Sequence, residues 1–367
     1  MISLGEISQL MSGQDLNPDD YSDSIPSEYP YVTGASSLCE EGIVLNRWTS
    51  NPKRIAKRDD ILLVCKGSGV GSLGKLANVE QAHIARQIMG IRAYNNVFQP
   101  FLYYLISSII PNLKQKATGL IPGIDRDAFL SLHCCIPALP EQFRISSLLD
   151  NIDKRIAIQN KVIEDLICIK SSTTKRLLNT RDIPGQIVTL GEITEVISRR
   201  NKNRTIYPMY SVTNDRGFIP QSEQFEDREM VGEDIGAYRI IQKGEIAYNP
   251  ARINVGSIAL YKEEQPCMIS SLYVCIRVRP GVCEKWLIQV LQSEQLINYY
   301  NLYAEGGVRL YLFYPNFSKI KVFMPAFEQQ KKIADALEAI ESKIELEKSV
   351  LVRYHLAKQA LLSQLFI

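Results

Sequence analysis

The sequence contains two copies of one pattern. Pro-Ala-Leu-Pro-Glu-Gln at 137–142 leads into a helical stretch, and Pro-Ala-Phe-Glu-Gln-Gln at 325–330 does the same 188 positions later. Shorter motifs repeat upstream: Leu-Gly-Glu-Ile at 4–7 and 190–193, and Val-Gly-Ser at 70–72 and 255–257. Solenoid repeats have periods of about 20 to 50 residues, so a period this long predicts two domains.

The composition is typical of a soluble globular protein, with 46% hydrophobic and 22% charged residues. The N-terminal residues lack the basic start and apolar run of a signal peptide, and no apolar run is long enough for a transmembrane helix. We therefore expect a cytoplasmic protein without membrane contact. The eight cysteines form no CxxC pair, and Cys134 and Cys135 lie in an apolar run, so we expect reduced core or strand cysteines and no metal site.

The net charge of +2 argues only weakly for nucleic-acid binding. The distribution is uneven, because residues 1–46 contain acids but no Lys or Arg, whereas bases outnumber acids in residues 47–136. This asymmetry is compatible with a basic face, and equally with a solvated surface of unevenly spread charge.

The two helical stretches carry apolar residues at alternating spacings of four and three, which predicts a coiled-coil seam. Polar interruptions also match between the copies, Gln159 with Glu347 and Lys170 with Lys358. Matching interruptions indicate that the two helices pack on each other, and the alternative is that each helix docks on its own domain. The residues expected to pair the helices are Ile145, Leu149, Ile152, Ile156, Ile163, Leu166, Ile333, Leu337, Ile340, Ile344, Leu351 and Leu365.

The order domain, helix, domain, helix predicts four segments: a first domain at 1–140, a helix at 141–180, a second domain at 181–327 and a helix at 328–367. An antiparallel helix pair would hold the two domains at opposite ends. About 34 residues at 1.5 Å each make a rod of roughly 50 Å. That length corresponds to roughly 15 base pairs of DNA.

Within each domain the pattern predicts an α+β fold with short strands and long loops. The predicted strands are Asp60–Cys65, Glu245–Tyr248, Ser257–Tyr261 and Ser271–Val278, and the predicted helices are Phe101–Ile109 and Trp286–Gln292. The fold class is therefore two pseudo-repeated mixed α/β domains joined by two long helices that form an antiparallel coiled coil.

The segment Gly69–Lys75 resembles a nucleotide-binding loop, since its glycines and lysine have nearly the Walker A spacing. Leu76 stands where the Mg²⁺-binding Ser or Thr is required, and the second copy keeps only Val-Gly-Ser. What both copies retain fits a tight turn between strands whose glycine has a positive φ. The tetrapeptide Asn249–Arg252 faintly resembles an adenine methyltransferase motif but lacks its second proline and aromatic residue. No catalytic constellation is present, so no catalytic residue is expected.

Loops with donors and acceptors suited to DNA are easier to find. The turn after Cys65, its copy after Tyr248, the loop at 306–311 opposite 118–123, and the basic run at 199–204 carry groups that suit base edges or phosphates, although a solvated loop explains the basic run equally well. The DNA-binding candidates are Lys66, Ser68, Lys75, Arg199, Arg200, Lys202, Asn249, Arg252, Asn254, Arg309 and Tyr311. The copies differ most in these loops, which predicts a shared scaffold with two different reading surfaces.

Taken together, the repeated Leu-Gly-Glu-Ile opening, Tyr-Pro at 29–30 and 207–208, the Val-Gly-Ser turns and the proline-led entry to each helix resemble the specificity (S) subunits of type I restriction-modification systems. The resemblance covers the whole chain. One departure is that the second helix entry, at 328–330, lacks the second proline of the first.

This resemblance implies two target-recognition domains that each read one half of a bipartite, gapped site in double-stranded DNA. It also implies two methyltransferase (M) subunits and motor-endonuclease (R) subunits as partners, with S-adenosylmethionine, ATP and Mg²⁺ bound by those partners and no cofactor bound by this chain. The chain itself would not be an enzyme. The alternatives are a nucleotide-dependent enzyme that uses the Gly69–Lys75 loop and a coiled-coil scaffold without DNA contact.

Overall fold

The computed structural model describes residues 1–24, 26–39, 42–116, 123–179, 183–221, 235–307 and 310–366. The chain divides into two compact units. The first unit comprises Met1–Val162 with Glu347–Ile367, and the second comprises Ile163–Leu346. Both boundaries fall inside long helices, so each unit combines one copy of the repeat with part of the helix that follows the other copy.

In the first unit, two four-stranded sheets make up most of the strand structure. Its strands are β1 (Ile2–Ser3), β2 (Ser8–Ser12), β3 (Tyr29–Val32), β4 (Leu38–Cys39), β5 (Gly42–Ile43), β6 (Trp48–Thr49), β7 (Ile55–Lys57), β8 (Ile61–Val64), β9 (Leu73–Lys75), β10 (Gln81–Ile84), β11 (Ile88–Ala93) and β12 (His133–Cys134). Its helices are α1 (Leu4–Ile7), α2 (Gln99–Lys116), α3 (Arg126–Leu130) and the beginning of α4 (Leu139–Asn179). The sheets have the orders β2-β11-β8-β9 and β6-β3-β10-β7, and β3 and β10 are parallel.

The second unit has the same plan. Its strands are β13 (Gly185–Thr189), β14 (Thr194–Ile197), β15 (Met209–Thr213), β16 (Gly217–Pro220), β17 (Arg239–Ile241), β18 (Ile246–Tyr248), β19 (Ile258–Leu260), β20 (Cys267–Ile269), β21 (Val274–Val278) and β22 (Lys321–Pro325). Its helices are α5 (Leu190–Ile193), α6 (Glu284–Leu291), α7 (Glu294–Tyr303), α8 (Tyr314–Phe317) and the beginning of α9 (Phe327–Leu365). The sheets have the orders β14-β21-β18-β19 and β16-β15-β20-β17, again with one parallel pair, β15 and β20.

These two matching units confirm the predicted repeated α+β fold. The four predicted strands correspond to β8, β18, β19 and β21, and the two predicted helices lie in α2 and α6. Of the cysteines, Cys134 is buried in β12, whereas Cys135 is exposed because successive residues of an extended segment point to opposite sides. Across the described ranges, the helices include none long and apolar enough to cross a membrane.

The repeated Leu-Gly-Glu-Ile motif is a short helix with a capping box. The Glu6 carboxylate accepts the Ser3 N–H at 2.7 Å, and Glu192 accepts the Thr189 N–H at 2.6 Å. These hydrogen bonds from the backbone and hydroxyl of the capping residue lower the pKa of both carboxyl groups. The leucine and isoleucine of each motif are buried, so both copies retain the motif for folding.

The largest hydrophobic core of each unit is completed by residues from both long helices. In the first unit, Ile145 and Leu149 of α4 belong to the core, and the end of α9 packs against it through residues that include Leu365 and Phe366. Phe366 lies against Phe101, with ring centroids 5.3 Å apart. In the second unit, Ile333 and Leu337 of α9 belong to the core, and Leu177 and Leu178 at the end of α4 pack against it.

Polar contacts fix the register between the helices. In the first unit Gln159 donates to the Glu347 backbone carbonyl at 3.1 Å, and Lys358 pairs with Asp153 at 2.5 Å. One residue number falls as the other rises, so the helices run antiparallel there. In the second unit Lys170 pairs with Glu341 at 2.7 Å. With the repeat offset of 188, Asp153 corresponds to Glu341 and Lys170 to Lys358. The two ion pairs are therefore equivalent contacts.

The residues that were predicted to pair the helices are buried to different extents. The more deeply buried ones also enter the domain cores, as at Leu149 and Leu337, which means that helix pairing and docking on the domain occur together. The buried members are Ile145, Leu149, Ile156, Ile163, Ile333, Leu337 and Ile344, and the half-buried members are Ile152, Leu166, Ile340, Leu351 and Leu365.

A buried glutamine fastens each long helix to its domain. Gln142 accepts the Phe98 N–H at 2.8 Å and donates to the Pro137 carbonyl at 2.9 Å. Gln330 accepts the Cys283 N–H at 2.8 Å and donates to the Pro325 carbonyl at 2.8 Å. Each side chain is 1% exposed. The repeated motif therefore places a glutamine where it accepts a backbone N–H at the residue that precedes α2 or α6.

Replacing Gln142 with alanine should lower the free energy of unfolding of the first unit by about 1–3 kcal/mol, because the Phe98 N–H and the Pro137 carbonyl, both partly buried, lose their partner. Chemical denaturation of the full chain measures the change. The control is Gln359→Ala on the exposed surface of α9, which should change stability by less than about 0.5 kcal/mol. Equal effects of the two substitutions would contradict the role of Gln142.

Candidate nucleic-acid interface

In each copy, an inner strand of one four-stranded sheet ends in a loop that carries predicted DNA-binding residues. The strand is β8 in the first unit and β18 in the second. Residues 65–72 connect β8 to β9, and residues 249–257 connect β18 to β19. The predicted positive φ of the repeated glycine is confirmed, with +79° at Gly71 and +96° at Gly256. The connections are longer than the tight turn that was predicted, since the second includes a helical turn at Ile253–Val255.

A second loop lies beside the first one in each unit. The Ile124 N–H donates to the Cys65 carbonyl at 2.8 Å, and the Leu312 N–H donates to the Pro250 carbonyl at 3.0 Å. The structure thus brings together two loops that the sequence analysis selected separately. Candidate Arg309 lies outside the described residues, as do 117–122 of the first copy.

In the first unit, Lys66 and Ser68 present their side chains to solvent. Gly67, between them, has a φ of +89°, and Lys66 forms an isolated β-bridge with Gly123. The bridge fixes the backbone where the two loops meet. The bridge therefore holds at one place the backbone from which the ammonium and hydroxyl groups could reach phosphates or base edges.

In the second unit, the loop asparagines shape the backbone while Arg252 is exposed. The Asn249 side-chain carbonyl accepts the Ala251 N–H at 3.0 Å, an Asx turn that stabilises the loop. Asn254 donates to the Asn301 side chain on α7 at 3.0 Å. The Arg252 guanidinium, which always carries its charge, is the exposed member of these three candidates.

Residues 199–202 lie elsewhere in the second unit, alongside β17 in the other sheet. The Ile240 N–H donates to the Arg199 carbonyl at 2.9 Å. The Arg199 guanidinium pairs at 3.1 Å with Glu245, whose side chain is 7% exposed. Arg200 and Lys202 are exposed. The structure therefore does not join this run to the loop at 249–257, and it gives Arg199 a partner within the fold.

Lys75 also has a partner within the fold. Its ammonium lies 3.4 Å from Asp150 of α4 and 4.2 Å from the centre of the Tyr103 ring. Tyr104 donates to the same aspartate at 2.6 Å, and burial together with hydrogen bonds to carboxylates raises the pKa of its hydroxyl, which keeps it a donor. A Walker loop leads into a helix, whereas Gly69–Lys75 leads into strand β9, so the fold does not provide a nucleotide-binding context here.

Two exposed aromatic residues lie together in the loop that follows residue 310. One of them was predicted from the sequence as a DNA-binding residue, and the other was missed. Candidate Tyr311 stacks on Phe313, with ring centroids 5.8 Å apart. Phe313 was missed because an apolar residue carries no donor or acceptor pattern. The signal that could have found it is the comparison of the copies, since Asp125 occupies the equivalent position in the first.

Within the part of the chain that the structure describes, no group of three or more His, Cys, Asp or Glu side chains is arranged to hold a metal ion. The three histidines lie far apart in the sequence. His83 is buried, its Nδ1 accepts the Arg54 N–H at 3.1 Å, its Nε2 donates to the Gln14 carbonyl at 2.9 Å, and burial lowers its pKa. The chemistry offered by the exposed loops is recognition through hydrogen bonds and charge.

Replacing Arg199 with glutamine should lower the free energy of unfolding by about 1–3 kcal/mol, because the buried Glu245 carboxylate would lose its cation. Arg252→Gln is the matched comparison, since it removes the same charge from an exposed site and should change stability by less than about 0.5 kcal/mol. Thermal unfolding of both variants measures this difference. A stability loss in Arg252→Gln equal to that in Arg199→Gln would contradict the assignment.

Comparison with known proteins identifies similar sequences and folds. The family model of the type I restriction modification DNA specificity domain matches residues 1–166 and 185–352. The type I restriction enzyme MjaVIII specificity subunit of Methanocaldococcus jannaschii is 23% identical over 373 residues, which cover 92% of this chain and 85% of that protein.

Two solved structures share the fold over nearly the full length. The type I restriction-modification system S subunit from M. genitalium has a TM-score of 0.62 and 17% identity, and the match covers 100% of this chain and 95% of that chain. A chain solved in work on complex assembly and conformational transition of the type I R-M system has a TM-score of 0.62 and 15% identity, with coverage of 99% and 96%.

Proposed function

The chain belongs to the type I restriction modification DNA specificity domain family, and from that membership we propose that it reads a gapped DNA site in two halves, one with each domain. Specificity subunits of this family serve DNA recognition and are in general non-catalytic. The finer assignment is carried by one observation: the two units share their scaffold contacts but expose different side chains at equivalent loops.

The shared contacts are those that build each domain. Both copies have the capping box, the buried glutamine at the helix entry and the ion pair between the helices. The exposed residues of the two loops are not shared in this way. Instead, Lys66 and Ser68 in the first unit are replaced by an asparagine- and arginine-containing loop with Arg252 in the second. This difference supports two distinct half-sites.

The side chains offered at these loops match the demands of duplex DNA. Lys and Arg neutralise phosphates and bind guanine, and the hydroxyl of Ser68 can contact a phosphate or a base edge. Because the chain has a net charge of only +2, long-range attraction to DNA is weak. Binding would therefore depend on these local contacts and on partner subunits.

The two long helices are proposed to set the gap between the half-sites and to dock two methyltransferase subunits, with motor-endonuclease subunits joining them. Methyl transfer and cleavage would take place in those partners, which would bind S-adenosylmethionine, ATP and Mg²⁺. The fixed antiparallel register supports this role, since a spacer needs a defined length.

Co-expression with the methyltransferase from the same locus should produce adenine methylation at a two-part, gapped motif, because two separate surfaces read the DNA. Exchanging residues 189–323 for the matching segment of another family member should change one half of the motif and leave the other half intact. Long-read sequencing of genomic DNA measures both results. A continuous motif, a change in both halves, or no methylation with a partner that is itself folded would overturn the proposal.

Lengthening both helices should lengthen the gap. Seven residues inserted after Gln159 and seven after Leu346 leave the contacts Gln159–Glu347 and Asp153–Lys358 on one side of the insertions and the ion pair Lys170–Glu341 on the other. Seven residues add about 10 Å of helix, so the gap should grow by up to about three base pairs. The same methylation sequencing measures the gap.

The control for this change is an equal insertion into the exposed turn at 262–265, which should leave the gap unchanged. An unaltered gap after the paired helix insertion would show that the helices do not set the spacing.

A further inference from the structure

Two aromatic side chains project from the second unit beside the loop at 249–257. The rings of Tyr311 and Phe313 stack with an interplanar angle of 4°, and the residues are 36% and 53% exposed. Leu312 between them is fully buried, which orients its two neighbours away from the core. Together the two rings form a small exposed apolar patch beside this loop.

The pair stands on a rigid base. Tyr311 and Glu305 exchange two backbone hydrogen bonds of 2.8 and 2.9 Å, and the Leu312 N–H is bonded to the Pro250 carbonyl. The adjacent helix α8 is anchored by Phe317, which is buried and stacks on Tyr248 with centroids 5.0 Å apart. The residues that carry the rings are therefore held in a fixed position beside the loop that contains Arg252.

Folding does not require aromatic residues here, as the first copy shows. With the repeat offset of 188, the equivalents of Tyr311 and Phe313 are Gly123 and Asp125. Asp125 caps α3 by accepting the N–H groups of Asp127 and Ala128, both at 3.0 Å. Phe313 occupies the N-cap of α8 and makes no side-chain cap. Because Asp is a better N-cap residue than an apolar one, helix stability does not account for Phe313.

The groups near Tyr311 and Phe313 indicate which kind of partner binds these two rings. It adjoins the loop with exposed Arg252, whose charge complements DNA phosphates. Two copies of one partner subunit would require equivalent surfaces on both repeats, yet the aromatic pair exists in one. An apolar surface that meets the major groove of an undistorted duplex finds one apolar group there, the methyl of thymine.

We propose that Tyr311 and Phe313 form the apolar contact through which the second domain recognises the methyl group of a thymine in its half-site. This inference rests on the proposed function and names one base that the domain reads. Phe313, the more exposed ring, makes the contact, and Tyr311 positions it by stacking.

The test compares thymine with deoxyuridine, which lacks only the methyl group. The complex with the methyltransferase binds duplexes in which each thymine of the second domain's half-site, on either strand, is replaced by deoxyuridine one at a time. At one position the replacement should weaken binding by wild type about fourfold, the value of one buried methyl group. The Phe313→Asn variant should bind the thymine and deoxyuridine duplexes equally, because it lacks the ring that contacts the methyl group.

Phe313→Asn suits this test because asparagine is a good N-cap residue and adds no negative charge near the phosphates. Its unfolding temperature should therefore not fall, and Phe313→Ser is a second variant with the same property. Phe327→Asn removes a ring of similar exposure at the start of α9 and should retain the fourfold discrimination.

Several results would overturn the inference: a half-site without thymine, no position sensitive to the methyl group, or equal sensitivity in wild type and Phe313→Asn. If the two proteins are equally sensitive to the methyl group but Phe313→Asn binds every duplex more weakly, Phe313 inserts between base pairs and does not contact the methyl group. Absence of any gapped motif for the wild-type complex would be a failure of the proposed function itself, and it is seen before the duplexes are made.

Discussion

The largest hydrophobic core of each unit is closed by two helices that come from different halves of the chain. In the first unit, the start of α4 and the end of α9 cover the core, and Phe366 packs on Phe101. In the second unit, the start of α9 and the end of α4 do so. Neither repeat therefore completes its largest core alone, so the antiparallel pairing of the helices is a condition of folding.

The polar contacts around this arrangement show what the duplication preserves. Gln142 and Gln330 make equivalent hydrogen bonds, and Asp153–Lys358 and Lys170–Glu341 are equivalent ion pairs. These groups lie where an error in register would leave a buried donor or a charge without its partner, which is costly. The exposed loops carry no such penalty, so they are free to differ between the copies.

The repeated scaffold was predictable from the sequence because it depends on periodic, local patterns. Heptad spacing gave the helices, alternating apolar runs gave β8, β18, β19 and β21, and the repeated glycine gave the positive φ at the loops. The partners of individual charged residues were not predictable. Lys75 meets Asp150 and Arg199 meets Glu245 across long sequence separations, and only the fold brings these groups together.

The candidate interface was predictable in part for the same reason. Residue chemistry selected Lys66, Ser68 and Arg252, which the structure places on exposed loops, and hydrogen bonds between backbone groups join each of these loops to a second one. It also selected Asn249, whose amide is used to shape its own loop. Phe313 was overlooked because its significance lies in exposure and in the capping role of its counterpart, and neither can be read from residue type.

The two domains are proposed to contact different halves of one DNA site. Site-directed photocrosslinking tests this proposal most directly, with a photoreactive residue at position 68 in the first unit or position 255 in the second, both exposed. Mapping the crosslinked bases in the complex with the methyltransferase should place position 68 on one half-site and position 255 on the other. Crosslinks from both positions to the same half-site would contradict the account.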